Sequence, residues 1–213
     1  MRLFFGLPLS REGKELVLSL RNRLGDGTDG LEWSPAENLH LTLSFLGEVG
    51  EEGLSASRRA LDALELEDGP QPLFQPSRLG FFPDRGPPRV FVLLENSPSL
   101  GLLALHHGLC GALARESRAA GLPPLDSEWP EADREGSRPR RPFTPHLTLA
   151  RLRGRSRPRP FDAETLASTD GLLSGAPPLP FDRLILFESR TLRRGPVYTP
   201  LAERRIGGKA AGH

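Results

Sequence analysis

The chain has 213 residues, of which 37% are hydrophobic and 26% charged, and its formal net charge is +1. That length allows one large domain or two small lobes around a sizeable core, and the charge balance excludes an overall field drawing in a polyanion, so any affinity for nucleic acid must come from a local patch. Cys110 is the single cysteine, which excludes an internal disulfide framework and a cysteine-based zinc cluster.

Arg2 to Leu9 reads as a first strand interrupted at Pro8, too short for a signal peptide or a membrane span, so a cytoplasmic protein with no membrane partner is expected. Ser10 can cap a helix from about Arg11 to Leu24, with Leu16, Leu20 and Leu24 on one face and Gly25 as its stop. Leu31 to Trp33 is a short strand broken by Ser34-Pro35, and Leu39 to Leu46 is another. Glu48 to Glu52 open a helix through about Leu64, its carboxylates well placed at the positive end of the dipole, with Leu54, Leu61 and Leu64 facing inward. Pro72 to Phe82 and Arg89 to Glu95 are β-rich runs joined by a turn-rich segment at residues 83–88. Ser99 caps a helix to about Ala120, with an apolar stripe at Leu102, Leu105, Leu109 and Leu113 and a stop at Gly121. Cys110 on that helix reads as a small buried hydrophobe. His106 and His107 on the same helix point about 100° apart and cannot chelate one ion together; they read as surface or partly packed residues.

Leu122 to Pro142 is polar and lacks periodicity, as a loop does. A further strand begins at His146, followed by an arginine-rich connection, a short helix near Asp162 to Ala167, strands at Phe181 to Glu188 and Pro196 to Arg204, and a tail over 206–213. Strands interspersed with helices and joined by hairpin-type turns predict an α+β fold with mainly antiparallel sheet.

One tetrapeptide occurs twice. His40-Leu41-Thr42-Leu43 and His146-Leu147-Thr148-Leu149 each begin a period-two run, so on a strand the histidine and threonine share one face and the leucines the other. A histidine titrates near neutrality, so a pair can supply a base and an acid at the same pH, which is what displacement at phosphorus needs without a metal. Each threonine hydroxyl can donate to a phosphate oxygen. Two blander readings stand beside this one. Either histidine could be a structural strand residue, since a short motif alone is a weak signal. The pair could instead bind zinc, although a third ligand is needed and neither motif has an acidic residue nearby on the same strand face.

With these motifs, the chain resembles the two-histidine phosphoesterase superfamily, and within it the bacterial and archaeal RNA 2',3'-cyclic phosphodiesterases, the LigT-like proteins long labelled 2'-5' RNA ligases. Further matching stretches, in the family's order, are Arg2 to Phe5, Trp33 to Asn38, Leu39 to Val49, Leu79 to Pro83, Pro145 to Arg151, Leu186 to Ser189 and Gly195 to Tyr198. The resemblance implies a bilobal pseudo-two-fold fold over residues 1–205, two mainly antiparallel sheets with outer helices around a central cleft lined by His40, Thr42, His146 and Thr148. It implies hydrolysis of RNA 2',3'-cyclic phosphate ends, or of cyclic nucleotides, to a 2'-phosphate, without metal or cofactor. It also implies His40 as proton donor, His146 as proton acceptor, and Thr42, Thr148 and Arg151 as phosphate binders. Simple alternation puts Arg151 on the face opposite His146, so its length or a strand bulge would have to bring it to the phosphate. A monomer is expected. Two other functions stay open: action on a 2'-5' linkage, by cleavage or by reversible ligation, and a non-catalytic module that binds RNA ends.

The family pattern is exceeded at about Asp126 to Arg141, which reads as an insertion beside the cleft. Between Arg138 and Arg159 there are eight arginines, which fit either a basic rim for an RNA backbone or a solvated loop.

Overall fold

A computed structural model describes residues 1–25, 30–65, 69–83, 87–125, 143–152, 163–192 and 195–206. Residues 126–142 of the polar loop read over 122–142, the insertion at about 126–141, residues 207–213 of the tail read over 206–213 and seven of the eight clustered arginines lie outside them.

The order of elements is β1 (Arg2–Pro8), α1 (Arg11–Leu24), β2 (Leu31–Trp33), β3 (His40–Glu48), α2 (Glu51–Asp62), β4 (Leu73–Phe74), β5 (Arg78–Phe82), β6 (Val90–Leu94), α3 (Leu100–Ala119), β7 (His146–Leu152), α4 (Ala163–Ser174), β8 (Leu179–Pro180), β9 (Arg183–Leu192) and β10 (Gly195–Arg205). Both expected serine caps form: the Ser10 side chain accepts from the Gly13 amide and that of Ser99 from the Leu102 amide, satisfying amides that the first helical turn leaves without partners. Gly25 and Gly121 follow α1 and α3 with positive φ, 55° and 66°.

All described strand pairs are antiparallel. The large sheet runs β10-β9-β1-β3-β7-β6-β5, with β2 on β7, and β4 and β8 form a small second sheet. The α+β class and the antiparallel sheets agree with the expectation. The two halves, β10-β9-β1-β3 and β7-β6-β5, meet through one strand pair, Leu41 opposite Leu147. Strands of both halves and the first three helices contribute to one core, including Leu3, Phe5, Leu41, Leu147, Leu93 and Leu184 with Leu20, Leu61 and Leu109. The helices therefore cover one face of the sheet. Phe4, Val92, Leu94 and Ile185 are buried outside that core, and alternation puts them on the opposite face, the floor of a cleft.

Several boundaries differ from the sequence reading, and β9, for one, runs four residues past Glu188 to Leu192. The run from Pro72 divides into β4 and β5, because the corner between them is turned by its own bonds: the Gln75 amide donates to Glu95 Oε2 (3.1 Å), and the Ser77 amide to the Leu94 carbonyl (2.9 Å). The last helix continues to Ser174, held against α1 by Arg23, which donates to the Ser168 carbonyl and hydroxyl.

Candidate active site

β3 and β7 bring the repeated tetrapeptides side by side. With Leu41 opposite Leu147, antiparallel geometry sets His40 beside Thr148 and Thr42 beside His146, all four on the cleft face. A pseudo-two-fold axis thus passes between the two leucines, both fully buried.

The histidines are held alike. His40 Nδ1 lies 2.7 Å from the Asn38 carbonyl, and His146 Nδ1 lies 2.9 Å from the Thr144 carbonyl. A carbonyl only accepts, so each Nδ1 carries the proton and each Nε2 is left for chemistry. His40 Nε2 is 3.1 Å from Thr42 Oγ1. Each imidazole is also met edge-on by an aromatic ring: Tyr198 stands 5.1 Å from His40 at 89°, and Phe82 4.9 Å from His146 at 86°. Gly6 lets the His40 ring lie across β1, since a β-carbon there would stand 3.1 Å from His40 Cδ2.

Burial removes water that would solvate an imidazolium, and it pushes His40 down to about 4 against the hydrogen bond to Asn38, with the charges of His146 and Arg151 adding to the fall. Burial lowers His146 as well, opposed by its bond to Thr144. That the charges of His146 and Arg151 are felt at His40 reflects their closeness.

Arg151 reaches the cleft through a bulge. Along β6 and β7, Phe91 stands opposite Ala150 but Val92 stands opposite Thr148, so Leu149 is an extra residue. Leu149 and Ala150 are both buried and Arg151 is exposed, which returns Arg151 to the face of His146 and Thr148. The first motif does the same: Gly6 pairs with Thr42 and Phe5 with Ser44, which makes Leu43 the extra residue and brings Phe45 to the cleft face. Phe45 is thus the counterpart of Arg151, 43% exposed and 5.8 Å from the Phe4 ring, which also contacts His40, Phe187 and Tyr198. Sequence reading missed Phe45 as a site residue; its place five residues after His40, matching Arg151 after His146, was the available signal.

Other residues stand away from this chemistry. His106 is buried and stacks on Phe143 at 4.1 Å, with Nε2 3.6 Å from the sulfur of buried Cys110, while His107 is exposed. Among the described residues, no cluster of three or more His, Cys, Asp or Glu side chains could hold a metal ion, and no helix is long and apolar enough to cross a membrane.

Known proteins match this chain over nearly its whole length. The family described as LigT like Phosphoesterase matches residues 7–92 and 115–198. The chain is 31% identical to the RNA 2',3'-cyclic phosphodiesterase of Thermus thermophilus, over 98% of this chain and 92% of that protein. It is 28% identical to the Thermotoga maritima protein of the same name, over 98% and 97%. Among solved structures, one of a Thermus thermophilus protein superposes with a TM-score of 0.63 at 27% identity, covering 99% of this chain and 100% of that one. The apo form of E. coli LigT gives 0.63 at 25% identity, covering 96% of each chain.

Proposed function

The chain belongs to the LigT-like phosphoesterases, and on that premise we propose that it hydrolyses the 2',3'-cyclic phosphate at an RNA end to a 2'-phosphate. The observation that carries this reading is the pair of histidines on one cleft face, each with its Nδ1 tied to a backbone carbonyl and its Nε2 available.

Water attacks phosphorus as the bond to the 3' oxygen breaks. His146 Nε2 takes the proton from the water, and protonated His40 Nε2 gives one to the departing 3' oxygen; exchange with solvent then restores both. The Thr42 and Thr148 hydroxyls donate to the non-bridging oxygens, and Arg151 balances the charge that builds there. Each positioned acid or base contributes roughly 10² to 10⁴ in rate. The low affinity of His40 for a proton in the empty site is offset by the substrate, whose phosphate anion beside the ring favours the imidazolium. Phe45 and the rings behind it give a nucleobase an apolar surface for stacking.

The test uses a 2',3'-cyclic nucleotide with excess chelator, and the phosphate isomer formed is identified. His40→Ala and His146→Ala each lower kcat by at least about 10² while keeping the wild-type circular dichroism spectrum; undiminished turnover by either variant would remove that histidine from the reaction. An aryl phosphodiester, whose leaving group needs no proton, separates the two roles. It is still turned over by His40→Ala and is lost with His146→Ala.

A further inference from the structure

The cleft continues beyond Arg151 onto the outer strand of the second half, and the residue there with a free charge is Arg78. Arg78 stands opposite Leu94 on β6, and Leu94 stands opposite His146 on β7. Residues directly opposite in antiparallel strands point to the same side, so Arg78 shares the face of His146, two strand spacings away, or about 9–10 Å between backbones. The residue between them, Leu94, is buried, which gives the guanidinium a low apolar floor rather than a competing polar group.

The side chain is aimed along the cleft. Its Nη1 comes within 3.8 Å of where a β-carbon on Gly80 would stand, a position already 2.9 Å from Leu94 Cδ1. Gly80 therefore leaves the lane in which the guanidinium lies, next to Val92 and Thr148 in register. The base of the strand is pinned by the Gln75 bond to Glu95 and the Ser77 bond to Leu94. Arg78 is exposed, and among the described residues its guanidinium has neither a carboxylate partner nor a hydrogen bond. Four other exposed arginines, elsewhere on the molecule, are held by carboxylates: Arg11 by Glu15, Arg59 by Glu116, Arg183 by Asp182 and Arg190 by Glu188.

We propose that Arg78 binds the phosphodiester on the 5' side of the terminal nucleoside, and so makes the site prefer a cyclic-ended RNA chain to a cyclic mononucleotide. This rests on the cyclic phosphodiesterase reading above. With the cyclic phosphate held by the two motifs and the terminal base on the aromatic side at Phe45, the chain leaves over β7, β6 and β5, where Arg78 meets the next negative charge. A free guanidinium with several donors suits a phosphate better than a base edge.

The experiment compares kcat/KM for a 2',3'-cyclic mononucleotide and for a cyclic-ended dinucleotide, in wild type, Arg78→Ala and Arg78→Lys. Wild type favours the dinucleotide. Arg78→Ala keeps the mononucleotide rate within about twofold and loses roughly tenfold on the dinucleotide, mainly through KM, with Arg78→Lys between them. The dependence of log kcat/KM on log salt becomes shallower by about 0.7 for the dinucleotide alone. Replacing the internal phosphate with an uncharged methylphosphonate costs wild type the same factor and costs Arg78→Ala nothing more. Equal losses on both substrates, or none on either, would overturn the assignment of Arg78 while leaving the phosphodiesterase reading intact. Failure of wild type to hydrolyse either substrate would overturn both.

Discussion

At the scale of single residues, the site is two imidazoles made alike by the backbone and made unequal by burial. Asn38 and Thr144 leave each Nε2 as the titrating atom, and burial drives His40 to about 4 and His146 below its usual 6.5. On the proposed acid and base roles, the active free enzyme carries one proton on the pair, on His40. Below about 4 both rings are charged and no base remains; above the lowered value of His146 both are neutral and no acid remains. A plot of kcat/KM against pH, which reports the free enzyme, is therefore bell-shaped with its maximum on the acid side of 6.5. In the substrate complex the phosphate anion favours the charged forms, so the alkaline limb of kcat lies at higher pH than that of kcat/KM. Stopped assays from pH 4 to 9 with the cyclic nucleotide measure both curves. Coincident limbs, or a kcat/KM maximum above pH 7.5, would contradict this account.

At the scale of elements, the two bulges decide what the cleft contains. Alternation read from the sequence correctly put both histidine-threonine pairs on one face, since these precede the bulges. It put Arg151 on the wrong face because a bulge depends on the partner strand, and the extra residues Leu43 and Leu149 look in sequence like ordinary leucines. The serine caps and leucine stripes were legible because they rest on local spacing. The pairing of β4 with β8 was not, as it joins two dipeptides over a hundred residues apart. The strand beside the first motif carries its own constraint in Gly6, which pairs with Thr42. A methyl group there meets His40 Cδ2 and Phe4 Cε2, each at 3.1 Å, so the ring must give by a few tenths of an ångström. Gly6→Ala accordingly lowers kcat about tenfold, because displacement of a catalytic group by a fraction of an ångström is costly, while thermal stability changes little. Wild-type kcat in this variant would mean that the exact seat of the His40 ring is unimportant.

At the scale of the molecule, the two halves resemble each other in backbone and differ in surface. The first presents Phe4, Phe45, Phe187 and Tyr198 around its histidine, and the second presents Arg151 and Arg78 around its own. A pseudo-symmetric frame thus carries an asymmetric surface, aromatic on one side and cationic on the other. The frame works only if the halves keep their register, yet among the described residues just one strand pair in the sheet order, Leu41 with Leu147, joins them. What holds them is the core beneath, which is continuous across the join and includes both leucines at zero exposure. The halves should then unfold as one unit. Truncation in Leu147→Ala leaves a cavity at the seam and costs about 2–5 kcal/mol, which for a chain of this size lowers Tm by roughly 5–15 °C. Calorimetry and circular dichroism on the variant should report a single transition at the lower temperature, with calorimetric and van't Hoff enthalpies in agreement. Two resolved transitions would show instead that each half folds on its own, and that the cleft is an interface between domains.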